Sequence, residues 1–300
     1  MDYKEITLPS KDGYKLSLRV FDAKDPKGVI QVAHGMEEHQ DRYKEFAKYL
    51  AKNGYIVITA DMRGHGKNAP KLGHIADKNG HKLLIEDMQA IKDYIKKTYK
   101  NLPIILFAHS MGTITSRALL QTDSEEYSKV VLSGYPNPQG VASVAIVLSN
   151  IIGLFKGKDN KSNLLKNSVT GKFSKMLKDA KTPLDWLSYN KENIKKFKDD
   201  PLCGDMFTIG SYNALFHLVS DINKSNKYKN VKKDLPILLI SGEDDTCTSG
   251  EKGRQTSVKK LKCAGFETIE AETIKNMRHE ILNETKKDEV YELILNFIKK

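Results

Sequence analysis

Several protein classes are excluded by what this sequence has little of. It holds only three cysteines, Cys203, Cys247 and Cys263, odd in number and widely spaced. They form neither a disulfide framework nor a metal-binding pattern, so a reducing cytoplasm is the expected compartment. Long apolar runs are missing too. The longest, Val141–Phe155, is interrupted by Ser143, Ser149, Asn150 and Gly153, whereas a bilayer crossing takes about 20 residues. The start, Met1-Asp2-Tyr3-Lys4-Glu5, is charged and has no apolar centre, unlike a secretory signal. There are no internal repeats and no low-complexity segments. Arginine is scarce: nearly all the positive charge behind the net +11 is lysine. A nucleic-acid binder would interleave arginine and aromatic residues in one patch, and these lysines are scattered over every expected helix. Nucleic acid is therefore not an expected partner. Peripheral contact with an anionic membrane surface stays open, at about 1 kcal/mol per well-placed basic residue.

What is present belongs to a folded, water-exposed protein: 300 residues, 39% hydrophobic and 29% charged. A chain of this length buries enough apolar surface to need no disulfide or metal for stability. Its organisation is an alternation. Two antiparallel strands, Tyr3–Leu8 and Lys15–Phe21, turn at Lys11-Asp12-Gly13. Continuous apolar strands follow at Gly28–Ala33, Tyr55–Ala60, Ile104–Ala108, Val130–Leu132 and Pro236–Ile240. A polar strand is expected near Thr268–Thr273. Between them lie amphipathic helices at Tyr43–Asn53 and His81–Tyr99, one from about Gly112, one at Gly253–Cys263 and one at Asp288–Lys299. Apolar strands alternating with helices imply an α/β fold, a doubly wound, mostly parallel eight-stranded sheet covered on both faces. The alternation breaks between Pro136 and Tyr212, where helical pieces occur without a clear strand. Residues 1–135 and 213–300 thus read as the α/β core, and 136–212 as an inserted helical cap.

The chemistry centres on Phe107-Ala108-His109-Ser110-Met111-Gly112, between an apolar strand and a helix. A sharp strand-to-helix turn needs small residues two before and two after the serine and holds its hydroxyl at the positive helix end. Ala108 stands where glycine is usual, costing one methyl of clearance. After strand Pro236–Ile240 comes Ser241-Gly242-Glu243-Asp244-Asp245, which puts an acid at the carboxyl end of the sheet. Near the C-terminus, Met277-Arg278-His279-Glu280 lies in a loop before the last helix. Serine, acid, histidine is the chain order of α/β-hydrolases, and open α/β sheets place ligands at this edge. Ser110 would be the nucleophile and His279 its base, with the acid fixing the imidazole. The oxyanion would be held by backbone N–H groups of Met111, directly after the nucleophile, and Met36, after His34-Gly35.

These segments resemble a known family. His34-Gly35-Met36-Glu37-Glu38-His39, with Arg42-Tyr43 behind it, is similar to the HGxGEH…RY segment of monoacylglycerol lipases and bacterial lysophospholipases. Asp61-Met62-Arg63-Gly64-His65-Gly66 resembles their D-x-R-G-H-G loop. Leu184-Asp185-Trp186-Leu187-Ser188 and Asp200-Pro201-Leu202-Cys203-Gly204 resemble their cap motifs. Arg278-His279-Glu280 with Asn283-Glu284 matches the segment around their histidine. The likeness runs from Tyr14 to Ile298, with Glu37, Ala108 and Thr113 departing from the usual glycines. It implies that Asp245, three residues after the strand-ending glycine, is the acid rather than Asp244. It also implies a small lipid ester, a monoacylglycerol or lysophospholipid, as substrate. A short-chain carboxylesterase is the alternative, and an inactive binding protein on this scaffold the rival from another class. His34 and His39 are expected to fix loops, and Asp61, Arg63 and His65 to buttress the site. No metal or cofactor is expected, because His34, His39, His65, His74 and His81 pair with no carboxylate at ligand spacing.

Overall fold

The computed structural model describes residues 3–137 and 142–300. Met1, Asp2 and Val141, all used in reading the sequence, lie outside the described residues. Eight strands make one open sheet in the order β1-β2-β4-β3-β5-β6-β7-β8. They are β1 (Lys4–Pro9), β2 (Lys15–Phe21), β3 (Gly28–Ala33), β4 (Tyr55–Ala60), β5 (Ile104–His109), β6 (Lys129–Ser133), β7 (Ile237–Gly242) and β8 (Ile269–Ile274). β1 and β2 run antiparallel and β2 pairs antiparallel with β4; every other pairing is parallel.

The helices are α1 (Lys44–Lys52), α2 (Gly80–Thr98), α3 (Met111–Asp123), α4 (Ala142–Lys156), α5 (Asn163–Val169), α6 (Lys191–Asp199), α7 (Ile209–Ile222), α8 (Gly250–Cys263) and α9 (Lys287–Lys299). The period-two geometry of a strand, with both faces covered, explains why β3, β4, β5 and β7 are buried at every position and mostly apolar. On β5, Ile104, Leu106 and Ala108 face a core layer with Met88, Ile91 and Ile95 of α2, Leu119 and Leu120 of α3 and Leu261 of α8. Ile105 and Phe107 face the opposite layer, with Phe46 and Leu50 of α1 and Val290, Ile294 and Phe297 of α9. Both faces are covered, as the doubly wound reading requires.

β6 and β7 are neighbours in the sheet, yet 103 residues separate Ser133 from Ile237. Among the described residues this excursion holds no strand, only an isolated bridge between Lys161 and Thr208. A third apolar cluster joins it to the sheet edge, with Phe207, Ile209, Tyr212 and Leu218 packed on Met111 and Ile114 of α3. The expected cap boundary after residue 212 falls inside α7. Strand order reverses between β3 and β5, so the loops after these strands part and leave a crevice at their carboxyl ends.

Candidate active site

That crevice holds Ser110. It sits between β5 and α3 with φ +51° and ψ −118°, a conformation costly for a residue with a Cβ. Its neighbours hold it there. Ser110 N–H donates to Ser133 O at 3.0 Å, and Ser110 O accepts from Thr113 N–H at 2.9 Å and Thr113 Oγ1 at 2.7 Å. Gly112 is obligatory, since a Cβ there would stand 2.4 Å from Ala33 O. Ala108 occupies the other small position, fully buried between Ala33 and Leu132.

His279 Nε2 lies 2.8 Å from Ser110 Oγ, and its Nδ1 lies 3.0 and 3.1 Å from the two carboxylate oxygens of Asp245. A carboxylate only accepts, so Nδ1 carries the proton and Nε2 is free to accept from the hydroxyl. Both side chains are buried, His279 at 2% and Asp245 at 1% exposure. Burial opposes charge on His279, but the Asp245 carboxylate and its hydrogen bond outweigh it and raise the imidazole pKa above 6.5. Asp245 also accepts from Cys247 N–H at 2.9 Å. Asp244 points elsewhere and accepts from Tyr189 OH at 2.8 Å. Burial, then Asp245, pushes the Cys247 thiol well above its ordinary pKa, so this cysteine is no nucleophile.

The loop after β3 faces Ser110 from the other side. Among the described residues, neither Met36 N–H nor Met111 N–H donates to a protein acceptor. Gly35 N–H is taken by Glu38, at 2.5 Å. Glu38 also accepts from Tyr43 OH at 2.7 Å and Arg42 at 3.2 Å. Arg42 then forks onto Glu280, beside His279, at 2.5 and 2.7 Å, and donates to Asn193 of α6 at 2.9 Å. Burial works against charge on both glutamates, and Arg42 overcomes it to hold each below the ordinary carboxylate range. One guanidinium thus ties the β3 loop, the histidine loop and α6 together.

The expected loop-fixers occupy such positions. His34 Nε2 accepts from Met62 N–H at 2.8 Å, and Nδ1 donates to Gly35 O at 2.7 Å. Asp61 accepts twice from Gln40, at 2.9 Å each. Arg63 forks onto Asp12 and Asp87. His65, its pKa lowered to about 3 by burial, is a neutral acceptor for Glu37 N–H at 3.4 Å.

Sequence reading gave no role to four residues beside the relay. His109, neutral with a pKa lowered to about 4 by burial, packs 4.7 Å from the His279 ring. Trp186 packs 4.9 Å from the same ring. Arg42 stands out in the sequence only as part of the Arg42-Tyr43 motif, and its partner Glu280 is far off in sequence. Glu37 is the fourth: it has φ +59°, and burial lifts its carboxyl to about 7. Its substitution for a usual glycine was the available signal.

Above Ser110 and His279 opens a cavity of about 980 Å³, at the large end for small-molecule sites. Met36, Ile114, Trp186, Leu187, Leu215 and Phe216 give it apolar walls. Among the described residues, two groups bring three potential metal-ligand atoms within 4.8 Å of one another, Asp245–Cys247–His279 within the relay itself and His39–Asp200–Cys203.

Comparison with known proteins agrees with this architecture. The family model described as serine aminopeptidase, S33, matches residues 24–286. A monoacylglycerol lipase of Mycolicibacterium smegmatis is 26% identical over 277 residues, covering 91% of this chain and 89% of that protein. A phospholipase of Bacillus subtilis is 23% identical over 268 residues, covering 89% and 93%. The structure of a thermostable carboxyl esterase from Bacillus coagulans, in complex with glycerol, matches with TM-score 0.90 at 25% identity, over 100% of this chain and 98% of that one. The monoacylglycerol lipase of Paleococcus ferrophilus, at 21% identity and TM-score 0.72 over 95% and 98% of the two chains, shares the fold. The chain belongs to the S33 family of α/β-hydrolases, a family of serine hydrolases.

Proposed function

We propose that this protein hydrolyses carboxylic esters of monoacyl lipids, monoacylglycerols or lysophospholipids, through an acyl-enzyme on Ser110. The observation that carries the reading is the Ser110–His279–Asp245 relay, 2.8 and 3.0 Å between its members, on the floor of an apolar cavity. His279 takes the Ser110 proton as Oγ attacks the ester carbonyl. The N–H groups of Met36 and Met111 hold the oxyanion, each contributing about 10²–10³ in turnover. His279 then protonates the leaving alcohol, and water repeats the sequence in reverse to free the acid. Asp245 keeps the imidazole in the working tautomer and stabilises its charged form.

The lipid substrate is supported by the apolar walls and by relatives named as lipases and a phospholipase. The segment 136–212 serves as the cap that sets acyl length. An aminopeptidase reading is less well supported. It would need an ionised carboxylate free for the substrate ammonium, whereas Glu38 and Glu280 are committed to Arg42 and burial lifts the third glutamate of the cavity lining, Glu37, to about 7. Hydrolysis of p-nitrophenyl esters from acetate to palmitate, wild type beside Ser110→Ala, tests the proposal. Medium and long chains should be cleaved by the wild type alone. Activity confined to acetate and butyrate would replace the lipid substrate with a short-chain one. Equal activity in the mutant would remove the assignment, and an inert wild type would leave a binding protein.

The cap also supports contact with an anionic membrane. On α4, Leu154 and Phe155 are 82% and 85% exposed, and Leu164 and Met176 add apolar surface further along the cap. Lys156, Lys172, Lys175 and Lys178 are exposed in the same segment. Exposed apolar side chains with basic neighbours suit a charged lipid surface over a site for lipid esters. Co-sedimentation should favour phosphatidylserine-containing vesicles over pure phosphatidylcholine, and Phe155→Asp should weaken it. Equal partitioning to both would sink the contact.

A further inference from the structure

The relay does not use the second metal-like group. His39 follows the loop that carries Met36, and Asp200 and Cys203 lie in the cap loop after α6. Their ligand atoms lie within 4.8 Å of one another, with His39 Nε2 only 2.9 Å from Asp200 Oδ2. Nitrogen, carboxylate oxygen and sulfur are the donor types of a zinc site, and three protein donors leave one position open. On the other side of the imidazole, Asp41 Oδ2 stands 3.8 Å from Nδ1. That is too long for a hydrogen bond, so Asp41, itself paired with Arg19, acts on the ring through its charge, which favours a proton on the nitrogen that faces it.

Charge also favours a cation. Arg42 is already matched by Glu38 and Glu280 and Arg19 by Asp41, so among the described residues the Asp200 carboxylate has the His39 imidazole as its ion-pair partner. The Asp200 side chain is 33% exposed, so an ion can reach the group from solvent.

We propose that His39 Nε2, Asp200 and Cys203 Sγ bind Zn²⁺, and that the bound ion pins the cap loop to the β3 loop and slows hydrolysis. Binding replaces the His39–Asp200 hydrogen bond with two metal–ligand bonds. The proton that Nε2 donates to Asp200 moves through solvent to Nδ1, facing Asp41, so that Nε2 can ligate, and the Cys203 thiol releases its proton to solvent as the thiolate ligates. The mechanical consequence follows from a neighbouring contact: Gly204 N–H donates to Glu37 O at 2.8 Å, one residue from Met36. The ion would add a second tie between the same two loops.

Slowed hydrolysis rests on the proposed esterase activity; binding does not, and it is measured separately. Co²⁺ added to the metal-free protein should give a sulfur-to-cobalt charge-transfer band and tetrahedral visible bands at one equivalent. Zn²⁺ should bleach them. Cys203→Ser should abolish the charge-transfer band and weaken Zn²⁺ binding at least about tenfold, while Cys247→Ser keeps both. Zn²⁺ should then slow p-nitrophenyl ester hydrolysis by the wild type and not by Cys203→Ser. Absence of a stoichiometric cobalt spectrum, or one indifferent to Cys203→Ser, overturns the site. Loss in Cys247→Ser moves the metal onto the Asp245–Cys247–His279 group and overturns it as well. Metal binding without an effect on hydrolysis removes the pinning.

Discussion

At the scale of single residues, the proposed chemistry hangs on the protonation of two side chains. His279 must be neutral to accept the Ser110 proton, and its pKa lies above 6.5 because Asp245 outweighs burial. Hydrolysis should therefore fall as pH drops through a value above 6.5. Asp245→Asn removes the attraction, so the acid limb should move to lower pH and the rate fall by about 10²–10⁴. Asp244→Asn should do neither, and a pH–rate profile of the two variants decides between them. Glu37 is shifted in the same direction, by burial, and its titration bears on stability. Its folded pKa is about 7 against an ordinary 4.5, so between these values the folded state holds a proton that the unfolded state has lost. Stability from this group is then lost as pH rises through the window. The full shift corresponds to about 3 kcal/mol, and partial solvent access cuts the expected effect to about 1 kcal/mol. Glu37→Gln should raise Tm at pH 8 and leave it nearly unchanged at pH 4.5. An equal gain at both would show that packing, not ionisation, decides the position.

At the scale of elements, the strands were the most legible part. β3 and β4 were read with their full bounds, because strands buried on both faces are continuous apolar runs closed by glycine or a polar turn. The order of strands was not in the sequence, and neither was the pairing of β6 with β7 across more than a hundred residues. Ser110 and His279 could be picked by motif and chain order. Asp244 and Asp245 are chemically alike neighbours, and only their directions separate them: one meets Tyr189, the other His279. The Arg42 junction was hidden for the same reason, since its partners lie at 38, 193 and 280. It ties three elements by five hydrogen bonds at most 3.2 Å long, four from Arg42 itself and one from Asn193 to Glu280. Arg42→Ala leaves two buried carboxylates without their cation, a loss of about 3–5 kcal/mol. Arg42→Lys cannot make the two-pronged contact and should fall between the two. Denaturant midpoints for the three proteins test this, and a midpoint for Arg42→Ala equal to wild type would remove the junction's role.

At the scale of the whole molecule, the question is whether cap and core are one cooperative unit. The break in strand–helix alternation suggests a division at residues 136 and 212. The later limit cuts α7, and α7 is buried along most of its length against α2, α3 and α4. Phe207, Ile209, Tyr212 and Leu218 belong to the same apolar cluster as Met111 and Ile114, in the first turn of the helix that follows Ser110. A segment anchored this way cannot unfold without exposing the base of the active site. Calorimetry should accordingly show a single transition, with cap and core melting together. Phe207, 0% exposed, is the sharpest probe, because it packs at 5.4 Å on His65 and 5.7 Å on Tyr212, where cap meets core. Phe207→Ala should cost about 3–5 kcal/mol and lower that one transition as a whole. If the substitution instead split the trace, so that an early transition abolished hydrolysis while most helix signal survived to the wild-type Tm, the cap would be a separate folding unit and the sharing of its cluster with α3 would carry little energy.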